Sequence, residues 1–173
     1  MKILIAALAL LLLGPATAKG GAMELSSPAF QDQQSIPTAY TCDGADISPA
    51  LSISGVPPGT ASLALLMDDP DAPVGDWVHW IVFNLPPGVK EIPEDVPAAP
   101  ELSDGAVQGA NSWRRIGYGG PCPPDGAHRY FFKLYALDAK LDLNPGASKK
   151  QLLEAMQGRV LEETVLMGTY QRR

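Results

Sequence analysis

The chain has 173 residues, 13 lysines and arginines against 19 aspartates and glutamates, and a formal net charge of −6. That length bounds a single domain with a real hydrophobic core. The acidic balance excludes the basic footprint that nucleic acid or an anionic lipid surface requires; lysine and arginine never run longer than two, and Lys149-Lys150 and Arg172-Arg173 are expected to be solvated ends.

At the start, Lys2 precedes an apolar run from Ile3 to Leu13, broken by Gly14-Pro15 and followed by Ala16-Thr17-Ala18. This is the pattern of a cleavable export signal, with small residues where a signal peptidase reads. The run falls short of the roughly 20 apolar residues that a membrane-spanning helix needs, and no cysteine follows Ala18 to carry a lipid. The expected organisation is therefore a signal peptide over 1–18 and one domain over 19–173, in the periplasm or secreted, without integral membrane association. Lys19 to Met23 reads as a flexible lead.

Three strands follow from composition. Ser62 to Met67 is apolar and ends at Asp68-Asp69-Pro70; His79 to Asn84 is aromatic and β-branched and stops at Leu85-Pro86-Pro87-Gly88. Tyr130 to Leu137 alternates, with Phe131, Lys133 and Tyr135 on one face and Phe132, Leu134 and Ala136 on the other. Pro86 to Asp104 reads as a long surface excursion. Ser148 with Gln151 forms a capping box. It opens a helix whose buried stripe is Leu152, Met156 and Val160, widened by Leu153. Val165 to Tyr170 is expected to return as a last strand. Seventeen prolines and seventeen glycines between such short runs predict a mainly β sandwich rather than alternating βα units.

Cys42 and Cys122 are the only cysteines. In an exported chain an even pair reads as a disulfide, the alternative being two buried thiols. The bond would close a span of 80 residues and contribute about 4 kcal/mol by loop-closure entropy.

The chemistry concentrates in two stiff segments. Asp69-Pro70-Asp71-Ala72-Pro73 leads to Trp77-Val78-His79-Trp80, and Gly120-Pro121-Cys122-Pro123-Pro124 leads to His128-Arg129-Tyr130. Both histidines of the chain lie here, beside two carboxylates and a phenol, on loops of the kind that carry sites. Gly117-Tyr118-Gly119-Gly120 runs into a proline rather than a helix, so a nucleotide-binding loop is not expected.

These segments resemble the signature of the phosphatidylethanolamine-binding protein family, and Thr41-Cys42-Asp43-Gly44 with Gly117 to Pro124 resembles its bacterial Raf-kinase-inhibitor-like (YbhB/YbcL) branch. The resemblance spans about Leu25 to Tyr170. It implies an antiparallel β-sandwich with one or two peripheral helices and a small anion pocket at one edge. It places Asp69 and His79 at the ligand, His128 and Tyr130 orienting it, Tyr130 at the rim, Pro121 and Cys122 as the adjoining wall, and the aromatic beside His79 as a further wall. Asp71 belongs to the same set, although capping a turn or pairing with Arg129 is its expected role. Arg129 is expected to hold the first loop through a buried ion pair.

The expected function is a non-catalytic module for a small anionic group, phosphate or carboxylate, on a ligand or partner protein, with no cofactor and no metal. The alternative is a protein-level inhibitor acting through the excursion at Pro86 to Asp104. A weak metal-dependent hydrolase is third, since no close His-x-x-x-His spacing exists; a Gly-x-Ser-x-Gly elbow is also absent. Two like charges 4 Å apart repel by roughly 4 kcal/mol at a surface-like dielectric. An anion beside these carboxylates therefore needs a protonated His79 or His128, or a proton on Asp69, and binding is expected to strengthen as pH falls.

Overall fold

The computed structural model describes residues 21–172. The expected signal peptide lies outside the described residues, as does the start of the lead. Eight strands and one helix follow in order: β1 (Glu24–Ser26), β2 (Leu51–Ser54), β3 (Ser62–Asp69), β4 (Trp77–Leu85), β5 (Glu91–Ile92), β6 (Val107–Gln108), β7 (Ala127–Leu137), α1 (Lys149–Met156) and β8 (Val160–Gln171). A short 3-10 turn covers Thr38–Tyr40. The strands form a three-stranded sheet, β1-β2-β5, and a five-stranded sheet, β6-β4-β3-β7-β8, with antiparallel pairing throughout.

The two sheets enclose the main core. Leu25, Leu51, Ile53 and Ile92 from the small sheet meet Leu63, Leu65, Met67, Trp80, Val82, Phe132 and Leu134 from the large one. The opposite face of the large sheet is covered as well: Leu66, Ile81, Phe83 and Leu137 pack under Leu152 and Met156 of α1 and Leu141 of the preceding loop. Burial on both faces explains why every residue of β3 is buried and why that strand reads as a continuous apolar run.

The capping box at Ser148 and Gln151 is formed, but the helix is shorter than its apolar stripe. It ends at Met156, and Gly158 takes a positive φ of 73° that turns the chain directly into β8. Val160 therefore begins a strand, five positions ahead of the expected Val165, and both Val160 and Leu153 are exposed. The expected lead is also corrected at its end: Met23 is a buried core residue. The excursion at 86–104 is no free loop, because Ile92 pairs with Leu51 and both Ile92 and Val96 are buried.

Candidate functional site

Alternation along a strand fixes which carboxylate faces which layer. At the end of β3, Asp68 points to the helix side, where its Oδ2 accepts from Lys133 Nζ at 2.8 Å and Lys149 Nζ at 2.6 Å. Lys149 also holds Asp76, pinning the loop after β3 to the start of α1. Asp69 points the other way. Its Oδ1 accepts from the Asp71 backbone N–H at 2.8 Å, and its Oδ2 meets His128 Nδ1 at 2.8 Å. Both partners are almost fully buried.

His79 reaches the same side through an irregularity in pairing. Met67 pairs with Trp80 and Asp68 with Val78, so His79 is an extra residue in β4. Such a bulge re-aims side chains. Here it lets two consecutive residues face the same layer, Trp80 entering the core and His79 the pocket. The His79 Nδ1–H donates to the Gly119 carbonyl at 2.6 Å, which leaves Nε2 as the other ring nitrogen. Burial pushes the His79 imidazole below its usual range, opposed by the Gly119 bond and the nearby Asp69 charge.

Asp69, His79 and His128 line a pocket of about 350 Å³. Its walls are otherwise apolar: Pro73 and Val74 from one loop, Trp77, Cys122, Pro123 and Pro124, and Trp113. Cys122 is fixed by a disulfide to Cys42, with Cα atoms 5.4 Å apart. The glycine run beside it serves close packing. A Cβ on Gly119 would lie 2.7 Å from the Trp113 ring, and one on Gly120 would lie 2.5 Å from the Tyr40 carbonyl oxygen. Gly120 N–H also donates to Asp46 Oδ1 at 2.6 Å.

Asp69, His79, Cys122 and His128 are thus brought together, and three other expected site residues stand apart. Tyr130 is not at the rim. It is fully buried beneath His79, the rings nearly perpendicular with centroids 5.1 Å apart. Its hydroxyl lies near Asp69 and the Cys122 backbone without a well-formed hydrogen bond, and burial pushes the phenol's pKa far up. Pro121 is buried behind the wall, where its carbonyl accepts from Cys42 N–H at 3.1 Å. Asp71 turns outward to Arg129, which holds it at about 2.

That pairing corrects the role expected of Arg129. The contact is bidentate, Nε to Oδ2 at 2.9 Å and a terminal nitrogen to Oδ1 at 2.7 Å, but the arginine side chain is 53% exposed. An exposed pair contributes little to stability. Arg129→Ala is therefore expected to leave the melting temperature within a few degrees of the parent in a thermal melt. A collapse of the fold would restore the buried role.

The aromatic beside His79 is corrected as well. Trp80 belongs to the core, and the pocket walls are Trp77 and Trp113, whose rings meet edge-on with centroids 5.3 Å apart. Trp113, which the sequence did not single out, also lies edge-on to His79 at 5.2 Å. It is set by Asn111, whose Oδ1 accepts from the backbone N–H groups of Trp113 and Arg115, each at 3.1 Å. Asn111-Ser112 ahead of Gly117 is a turn signal that could have drawn attention to it. Among the described residues, no group of three His, Cys, Asp or Glu side chains is arranged to hold a metal ion.

Known proteins share this architecture. The family model for phosphatidylethanolamine-binding proteins matches residues 26–171. A UPF0098 protein of Methanothermobacter thermautotrophicus is 57% identical over 150 residues, 87% of this chain and 99% of its own. One from Aquifex aeolicus is 48% identical, covering 90% of this chain and 92% of its own. Among solved structures, a phosphatidylethanolamine-binding protein homologue from Chlamydia trachomatis has a TM-score of 0.82 at 46% identity, with 88% of this chain and 99% of that one covered. Escherichia coli YbcL has a TM-score of 0.81 at 31% identity, with 88% and 100% covered.

Proposed function

The chain belongs to the phosphatidylethanolamine-binding protein family, and from that premise we propose that its Asp69 pocket is a non-catalytic site for a small oxyanion, a phosphate or carboxylate group on a ligand or partner protein. The observation that carries this reading is the buried Asp69–His128 pair beside His79 in an otherwise apolar pocket. In each imidazole Nδ1 is engaged, with Asp69 or with the Gly119 carbonyl. A neutral ring with its proton on Nδ1 offers only a lone pair at Nε2. An oxyanion is therefore bound by an imidazolium, whose Nε2–H donates and whose charge offsets the anion. The Asp69 carboxylate, 2.8 Å from His128 Nδ1, fixes that ring's orientation.

Binding then takes up a proton, and its sign follows. The unbound His79 titrates below the ordinary imidazole range because burial disfavours its charged form. An anion favours the charged form, so affinity rises as pH falls through the imidazole range and is lost above it. Export to the periplasm or beyond belongs to the same proposal, supported by the leader pattern and by the Cys42–Cys122 bond.

Asp69→Asn separates this mechanism from simple charge repulsion. Asparagine keeps an acceptor for His128 and removes the charge. In a calorimetric titration with inorganic phosphate at pH 6, the variant is expected to bind about tenfold more weakly, because a neutral amide holds the His128 ring less firmly than a carboxylate does. Binding as tight as the parent's, or tighter, would show that Asp69 merely repels the anion and would refute the mechanism.

A further inference from the structure

A second cleft shares no lining residue with the Asp69 pocket and has a different chemistry. It occupies about 230 Å³ where the 86–104 excursion folds back on the end of β4, which is roughly the volume of seven or eight waters. Leu85, Ile92 and Leu102 supply its apolar interior, and Glu91, Glu101 and Asp104 are the charged residues of its lining. No lysine or arginine lines it. Among the described residues none of these three carboxylates is within ion-pair distance of a cation. Lys90, next to Glu91 in the chain, is not part of the lining.

The cleft is built rather than improvised. On one side Ile92 is pinned by its strand pairing to Leu51. On the other, a tight turn is closed by Leu102 N–H to the Ala106 carbonyl at 2.8 Å and Gly105 N–H to the Leu102 carbonyl at 3.0 Å. Asp104 Oδ1 caps that turn by accepting from Ala106 N–H at 3.0 Å. Little ordering is left for a ligand to impose, which favours binding.

We propose that this cleft is a binding site for a small amphiphile with a short apolar tail and an ammonium-type cationic head. The apolar interior rewards burial of the tail. Three carboxylates of one sign around a low-dielectric hollow focus a negative potential at its mouth, which attracts a cation, repels an anion and gives a neutral ligand nothing. The volume admits a chain of about six carbons, well below the size of a drug-like ligand.

The test uses three probes of equal length on the intact protein: n-hexylammonium, 1-hexanol and hexanoate, followed through the methyl resonances of Leu85, Ile92 and Leu102. Hexylammonium is expected to give saturable shifts, hexanol at least tenfold weaker ones, and hexanoate none. Glu91→Gln with Glu101→Gln should bring hexylammonium to the level of hexanol; Asp104 is left intact because it caps the turn. Equal affinity for hexylammonium and hexanol in the parent, or shifts that never saturate at these methyls, would overturn the proposal. Asp69→Asn serves as a control. It should leave hexylammonium binding unchanged, and a loss there would place the amphiphile in the first pocket instead and equally overturn the assignment.

Discussion

Reduction of the Cys42–Cys122 bond is expected to lower the unfolding free energy by about 4 kcal/mol, because it releases an 80-residue span in the unfolded chain. Both cysteines are exposed, so a mild reductant reaches the bond without prior unfolding. The pocket should suffer less than the fold. Its wall keeps three other ties to the 38–46 segment: Cys42 N–H to the Pro121 carbonyl, Gly120 N–H to Asp46, and Tyr118 O–H to the Tyr40 carbonyl at 2.7 Å. Urea unfolding with and without reductant measures the first effect, and the double variant Cys42→Ser, Cys122→Ser repeats it without reductant. A loss below about 1 kcal/mol would mean that the unfolded chain gains little freedom from the break.

Truncation of Trp80 is expected to be at least as damaging, and for a different reason. The indole is fully buried in the main core, and its Nε1–H donates to Gln108 Oε1 at 2.8 Å. Gln108 in turn donates from Nε2 to the carbonyls of Pro97 and Ala99 at 2.8 and 2.9 Å, so one buried amide joins the core to the excursion. Trp80→Ala removes the largest buried side chain at a cost of about 3–5 kcal/mol. It also strands the Gln108 oxygen, adding about 1–3 kcal/mol. Trp80→Phe keeps most of the volume and still strands that oxygen, so it should fall near the second figure. Chemical denaturation of the two variants separates the contributions. If Trp80→Phe equals the parent, the amide tie carries no weight.

These effects show which parts of the molecule were readable from sequence. Strands β3, β4 and β7 announced themselves through apolar and β-branched runs bounded by proline and glycine, and α1 through its capping box. The end of α1 was missed because Leu152, Met156 and Val160 continue a helical period that Gly158 interrupts. At the site, the structure brings Asp69, His79, Cys122 and His128 of the two stiff segments to one pocket, residues that the family resemblance had named. Tyr130 shares the core face of β7 with Phe132, Leu134 and the pocket residue His128, so its depth along the strand rather than its face separates it from the rim. His79 and Trp80 were harder, since simple alternation sends neighbours to opposite layers. Only the extra residue in β4 puts both on one side, and no local composition signals that shift. Trp113 lies in a turn outside any periodic run, and its place depends on packing against Gly119 and Trp77 across the fold.

The exposure of Val74, 78% at the mouth of the pocket, gives the polar floor an apolar lip. An oxyanion carried on an apolar or aromatic body would meet both. On the proposed reading the floor decides whether an anion binds, and its behaviour turns on protonation.

The most direct test is a titration with inorganic phosphate, at matched ionic strength, at pH 5.5 and pH 8, reading the imidazole resonances of His79 and His128 by two-dimensional NMR. The imidazolium mechanism predicts saturable shifts at both rings at pH 5.5 and at least tenfold weaker binding at pH 8. Equal affinity at the two pH values, or no shift at either ring with millimolar phosphate, would contradict an anion site at Asp69, His79 and His128.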